Sequence, residues 1–392
     1  MDRRQLLKGI GAASAVSWLP AYAATADDRR FVLVILRGAL DGLALLPPVG
    51  DPHYAKLRGE LALAGPGRPG GVLPVDDLFG LHPAMPNLHA MFRNEQASFV
   101  HAVASPYRER SHFDGQDLLE KGTNSVVGVR DGWLNRALAS LGSSIGHETA
   151  IALSQNTPLV LRGAQSVTSW APSRMPDVSD NTLARLQDLY SDDEFFATRL
   201  AQAMDSQEIA GDMAGGRTRQ NQQFAATMTS AARFLTAENG PRIAVVEAGG
   251  WDTHANQGAA EGQLANRLGG LDAGLGKLKD ELGTAWDKTV VAVVTEFGRT
   301  VRVNGTRGTD HGTGAAAILA GGAVNGGRVI ADWPGLSGRS LFEDRDLQPT
   351  IDLRSLFKAV LAEHLQIGQG FIESDVFPDS RPAAALKDLI RA

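Results

Sequence analysis

The stretch Val290–Gly322, VVAVVTEFGRTVRVNGTRGTDHGTGAAAILAGG, holds two apolar runs separated by a charged, Gly-rich loop. Neither run alternates with polar residues, so each reads as a strand buried on both faces. The first run ends on Glu296, and the second begins just past the pair Asp310-His311. Burying an unpaired charge costs several kcal/mol. Carboxylate and imidazole placed at the rim of a buried sheet are therefore paired, solvated or ligands of a metal ion.

The same pattern recurs outward from this stretch. FVLVILRG (Phe31–Gly38) is a buried strand that empties into GALDGL around Asp41, and RIAVVEAGGWDTHANQ is another that empties into a loop carrying Asp252 and His254. ASFVHAVA, TAIALS and PLVLRG are further strand-like runs, the first leading toward Ser111-His112. Between them lie helical segments: Ala84–Arg93, the segment closing at Gly122, GWLNRALASLG, and FAATMTSAARFLTAENG. Leu264, Leu268, Leu271, Leu275, Leu278 and Leu282 recur at spacings of four and three and form one apolar stripe on a long helix. Strands alternating with helices predict an α/β fold, a mainly parallel sheet with helices on both faces. Residues 51–80, rich in Gly and Pro, read as an irregular excursion, and residues 165–220 as a helical insertion in a domain spanning 24–392.

Composition narrows the function. The 392-residue chain has a formal charge of −6, which becomes −8 without residues 1–23, so general nucleic-acid binding is not expected. The opening DRRQLLKG followed by a short apolar core and AYA at 21–23 reads as a twin-arginine signal peptide, which predicts export to the periplasm or beyond. No other segment is apolar enough to span a bilayer. There is no Cys, so disulfides and thiolate ligands are excluded and any metal must sit on oxygen and nitrogen.

In an open α/β sheet, sites form outside the carboxyl ends of the strands. Asp41, Ser111-His112, Asp252 with His254, and Glu296 all follow strands, and Asp310-His311 lie on an adjoining loop. Acids and histidines converging there suit one or two divalent ions such as Zn, Mn, Mg or Ca. Two ions would clamp the attacking and leaving oxygens of a phosphoryl or sulfuryl transfer. Simpler readings stand beside each member. Asp41 is also a turn acid, the DTH of residues 252–254 an N-cap, Glu296 an ion-pair partner of Arg299 or Arg302, and Ser111 an N-cap with Asp114 three residues on. His53, His82, His89, His101, His147 and His364 read as structural or surface residues.

AMPNLHAMFRNEQASFVHAVASPYRERSHFDGQDLLEKG (84–122) resembles the entry region of sulfatases and other members of the alkaline phosphatase superfamily. With LRGALDGL, GGWDTHANQ, TEFGRT and GTDHGTGAA, the motif set more closely resembles the bacterial domain-of-unknown-function 1501 family, grouped with that superfamily, over roughly 31–365. The resemblance implies an alkaline phosphatase-like fold and a metal-dependent hydrolase of an anionic phosphate or sulfate ester. It casts Asp41, Asp252, His254, Glu296, Asp310 and His311 as metal ligands. A sulfatase-type Cys nucleophile cannot exist here, so Ser111 or His112 takes that place: a hydroxyl at a helix N-terminus favours Ser111, with His112 as ligand or acid, whereas ungapped counting to Gly122 favours His112. Arg110 or Arg299 would stabilise charge on the transferring group. Where the superfamily has an acid-histidine pair, this chain has Glu296-Phe297, which favours an alternative: a non-catalytic, metal-containing exported protein that binds a surface polymer or a protein partner.

Overall fold

The computed structural model describes residues 28–141, 149–172 and 220–391, with a few positions between 186 and 200. The expected signal peptide, His147 and most of the expected helical insertion lie outside the described residues. Within that insertion, Thr168–Ser169 form a short strand.

Among the described residues, one sheet of nine strands organises the chain. In chain order these are β1 (Arg30–Arg37), β2 (Ala97–Ala104), β3 (Ala150–Ala152), β4 (Thr168–Ser169), β5 (Ile243–Gly249), β6 (Thr289–Thr295), β7 (Ala315–Ala320), β8 (Val329–Ile330) and β9 (Ile351–Asp352). Their spatial order is β8-β2-β7-β6-β1-β5-β3-β4, with β9 also paired to β2. Every pairing is parallel except those of β7, which runs antiparallel to both β2 and β6. PLVLRG departs from its strand-like reading: Leu159–Leu161 form a single 3-10 turn after Pro158, and the Val160 N–H donates to buried Glu120 rather than to a neighbouring strand.

Both faces of the sheet are covered, as the unbroken apolar runs require. Val32, Val34 and Leu36 of β1 point into one core, and Phe31, Leu33 and Ile35 into the other. The first core is closed by α3 (Pro86–Arg93), α6 (Gln220–Thr236) and α7 (Gln263–Leu282), and all six leucines of the α7 stripe are buried. The second is closed by α5 (Trp133–Leu141) and α8 (Leu353–Ala359), where the Trp133 and Phe357 rings stack 4.5 Å apart. Helix α4 (His112–Lys121) begins at the site, and α1 (Gly42–Leu45) and α2 (Tyr54–Arg58) are joined by the Asp41–Arg58 pair. No helix among the described residues is long and apolar enough to cross a membrane.

Several of the histidines read as structural serve the scaffold. His101 is fully buried; its Nδ1 accepts from the Ala102 N–H (2.7 Å) and its Nε2 donates to the Leu46 carbonyl (3.1 Å). His364 donates from Nε2 to the Arg30 carbonyl (2.9 Å), and His82 from Nε2 to the Ala259 carbonyl (2.9 Å). Burial lowers the pKa of His101 and of His364 from 6.5 to about 4. Both stay neutral in the fold while the unfolded chain protonates them, so their stabilisation is complete above pH ~6.5 and is lost as the pH falls toward 4. Each contributes on the order of 3 kcal/mol to that loss. Urea midpoints measured from pH 7.5 to 4.5 are expected to fall steeply. His364→Gln, which keeps a donor but cannot titrate, is expected to flatten the slope; an unchanged slope would remove His364 from the account.

Candidate metal centre

Antiparallel β7 explains why residues before it join residues that follow the other strands. Its amino end lies at the edge where parallel β1, β5 and β6 have their carboxyl ends, so Asp310-His311 meet Asp252, His254 and Glu296 there. Close approach of the loops depends on glycine at two positions. Gly38, at φ +118°, lies so near the next loop that a Cβ would fall 2.7 Å from the Asp252 nitrogen. A Cβ on Gly308 would fall 2.4 Å from the carbonyl of His254.

Four side chains converge at this edge. Oδ1 of Asp252 lies 2.9 Å from Nε2 of His254 and 3.2 Å from Nε2 of His311, and the two imidazole nitrogens are 3.0 Å apart. Oδ2 of Asp252 lies 3.4 Å from Nε2 of His112, which is buried and makes no hydrogen bond. Ligand atoms of His112, Asp252 and His311 all fall within 4.8 Å of one another.

The opposite ring nitrogens decide what these atoms are. Nδ1 of His311 faces the Arg110 carbonyl (2.9 Å), Nδ1 of His254 faces Oδ1 of Asp310 (3.1 Å), and Nδ1 of His112 faces Oε1 of Glu296 (2.9 Å). A carbonyl or carboxylate oxygen can only accept, so a ring that donates from Nδ1 to these partners presents a lone pair at Nε2 toward Asp252. Lone pairs 2.9–3.2 Å apart repel unless a proton or a metal cation lies among them. A tetrahedral ion with bonds of ~2.0–2.1 Å sets its donor atoms roughly 3.3 Å apart, close to the spacings among Asp252, His254 and His311 and between Asp252 and His112, so these donors suit a divalent ion of the zinc type. Histidine ligands held from behind by carboxylates and carbonyls are the usual arrangement around protein metals.

The other expected site residues stand one layer out. Glu296 is fully buried and accepts at Oε1 from Gly38 N (2.8 Å), Gln116 Nε2 (3.1 Å) and His112 Nδ1; it orients His112 and does not reach the cluster as a ligand. Asp310 stands behind His254 and also accepts from Asn304 Nδ2 (3.0 Å). Arg299, buried, donates to Asp252 Oδ1 (2.5 Å) and to Thr309, so its charge is committed to a ligand. The Arg110 side chain turns away to Asp346 and Glu343, and only its carbonyl serves the site. Asp41 is apart from the cluster. It pairs with Arg58 of α2, caps α1 through the Leu43 N–H (3.1 Å) and accepts from Gln257 Nε2 (2.7 Å); Arg58 and Asp41 are both buried. With those partners in place Asp41 stands outside the group that gathers around Asp252. Phe297 stacks on the His112 ring with centroids 5.1 Å apart.

Electrostatics follow the same contacts. Burial opposes ionisation of Asp252, but the Arg299 hydrogen bond and charge outweigh it and hold its pKa low. Burial likewise opposes Glu296, and the hydrogen bond from His112 leads the contacts that overcome it. That bond raises the His112 pKa, whereas burial lowers that of His311. Gln116, Asn304 and Gln257 escaped the sequence reading. Gln116 carried a signal, since it lies one helical turn beyond His112 on the same face of α4.

Ser111 occupies the N-cap position of α4 but makes no capping hydrogen bond. Ser111→Ala is therefore expected to cost well under the ~1 kcal/mol typical of a lost cap. Thermal denaturation checks this; a loss above that value would restore the capping role.

The family model described as "Protein of unknown function (DUF1501)" matches residues 28–377. No curated protein matches the chain. Among solved structures, the chain is similar to a protein in the alkaline phosphatase superfamily from Vibrio parahaemolyticus (14% identity, 82% of this chain and 69% of that one, TM-score 0.38). It is also similar to the phosphonate monoester hydrolase of Agrobacterium radiobacter (12%, 87% and 74%, TM-score 0.38) and to a sulfatase from a Pseudoalteromonas species (12%, 93% and 74%, TM-score 0.37).

Proposed function

The chain belongs to the DUF1501 family, and on that footing we propose that it is an exported hydrolase of a phosphate or sulfate ester, dependent on one divalent ion held by His112, Asp252, His254 and His311. The observation that carries the reading is the set of three imidazoles whose Nδ1 atoms are tied back to Glu296, Asp310 and the Arg110 carbonyl. When bound, such an ion supplies Lewis acidity toward an ester oxygen or a water. The protein does the rest. Helix α4 directs its N-terminus at the cluster, which favours an anionic ester there. Ser111, uncommitted to capping, offers a hydroxyl as nucleophile. Arg299 holds Asp252 in register, and Phe297 shields one face of the His112 ring.

The commitment of Asp41 to Arg58 and the presence of Phe297 beside Glu296 favour one ion over two, and they keep alive the second reading, a non-catalytic metal-containing protein with a polymer or protein partner. Protein supplied with zinc is expected to hydrolyse 4-nitrophenyl phosphate or 4-nitrophenyl sulfate and to lose that activity on His112→Ala. Zinc binding with no turnover of either ester would favour the second reading.

Export is proposed from the Arg3-Arg4 opening. Replacing both by Lys is expected to retain the precursor in the cytoplasm, read by fractionation. Processed periplasmic protein from that variant would contradict the twin-arginine route.

A further inference from the structure

We propose that Arg37 and Gln116 are positioning residues that fix the tautomer of His112 and so aim its Nε2 lone pair at the cation seat; the proposal rests on the metal reading above. A chain of contacts from Arg37 to His112 carries it. Arg37 pairs with Glu120 and Glu247, which fixes its guanidinium beside α4. Its Nη1 donates to Oε1 of Gln116 (2.9 Å). A guanidinium has only donors, so this end of the Gln116 amide must be the oxygen. The Gln116 NH2 therefore faces Glu296 and donates to Oε1 (3.1 Å). Turning the amide over would set its NH2 against the guanidinium and its oxygen against the carboxylate, two repulsive contacts.

Glu296 Oε1 already accepts from Gly38 N (2.8 Å) as well as from Gln116. An ionised carboxylate only accepts, and the Gly38 and Gln116 N–H groups hold Oε1 in place and favour its ionised form, so Nδ1 of His112 at 2.9 Å is the donor. The proton is thereby held on the nitrogen that faces away from Asp252. Nε2 is left with its lone pair in a buried position that makes no hydrogen bond. Gln116 can do this because it follows His112 by one turn of α4, which puts both side chains on one face.

Two substitutions separate positioning from mere support of Arg37. Gln116→Leu removes both contacts. Gln116→Glu keeps an oxygen for Arg37 but removes the donor to Glu296. Zinc affinity, measured by chelator competition, is expected to weaken 10–100-fold in both variants, the range seen when groups behind a metal ligand are lost. Wild-type affinity in Gln116→Glu would show that the residue only supports Arg37 and would overturn the proposal. A second readout needs no metal: long-range 1H–15N correlation on histidine-labelled, metal-free protein in alkaline solution. Wild type is expected to show His112 wholly as the Nδ1–H tautomer, and Gln116→Leu a mixture. An Nε2–H tautomer in the wild type, or a pure Nδ1–H tautomer in Gln116→Leu, would overturn the proposal. A wild type that shows the Nδ1–H tautomer, lost in Gln116→Leu, yet binds no zinc leaves the positioning role standing and rejects the metal reading alone.

Discussion

Replacing His254 and His311 together by Ala is expected to abolish zinc binding and with it the stabilisation that zinc confers. Two of the four converging donors are lost, while the part-buried contact between Asp252 and Arg299 is left intact. An ion bound only by the folded chain adds about 4 kcal/mol at a thousandfold excess over its dissociation constant. The melting temperature of the wild type should therefore rise with added zinc, and that of the variant should not. Metal-free forms of the two proteins should melt close together, because His254 is partly exposed and contributes little to either core. A variant that still gained stability from zinc would mean that the ion sits elsewhere.

The second large effect is structural. Asp41→Asn is expected to cost about 3–5 kcal/mol, because it leaves the Arg58 guanidinium buried without its countercharge. Asp41→Asn combined with Arg58→Met removes both charges and is expected to recover part of that loss. Zinc content of the folded Asp41→Asn protein should match the wild type. Denaturant titration and metal analysis of the three proteins test both points. Loss of zinc with little loss of stability would return Asp41 to the metal site.

These outcomes bear on what a single chain discloses about its fold and site. The long buried strands, the α7 leucine stripe and the gathering of acids and histidines at strand ends were legible, since each rests on local pattern and on the geometry of parallel sheets, whereas PLVLRG and the two-residue strands β4, β8 and β9 were not, being too short to carry a pattern. The direction of β7 was not, because a short apolar run such as GAAAILAGG looks alike whichever way it runs. The fate of Asp41 was hidden for another reason: its partner Arg58 lies on a short helix inside the irregular 51–80 excursion, where no periodicity marks it. Glu296 and Asp310 were rightly placed at the rim but stand behind His112 and His254. Sequence position brings an acid to a site, whereas only the packed side chains settle whether it faces the centre or supports a neighbour. His112 shows the reverse. The sequence left it open as a reacting group or a ligand, and the fold sets its Nε2, which makes no hydrogen bond, 3.4 Å from Oδ2 of Asp252.

The most direct test is anomalous scattering from a zinc-loaded crystal, collected on both sides of the zinc absorption edge. The account predicts one strong peak bounded by Nε2 of His112, His254 and His311 and the Asp252 carboxylate, with nothing against Asp41. An empty cluster, or a peak whose ligands are Asp41 and Glu296, would contradict it.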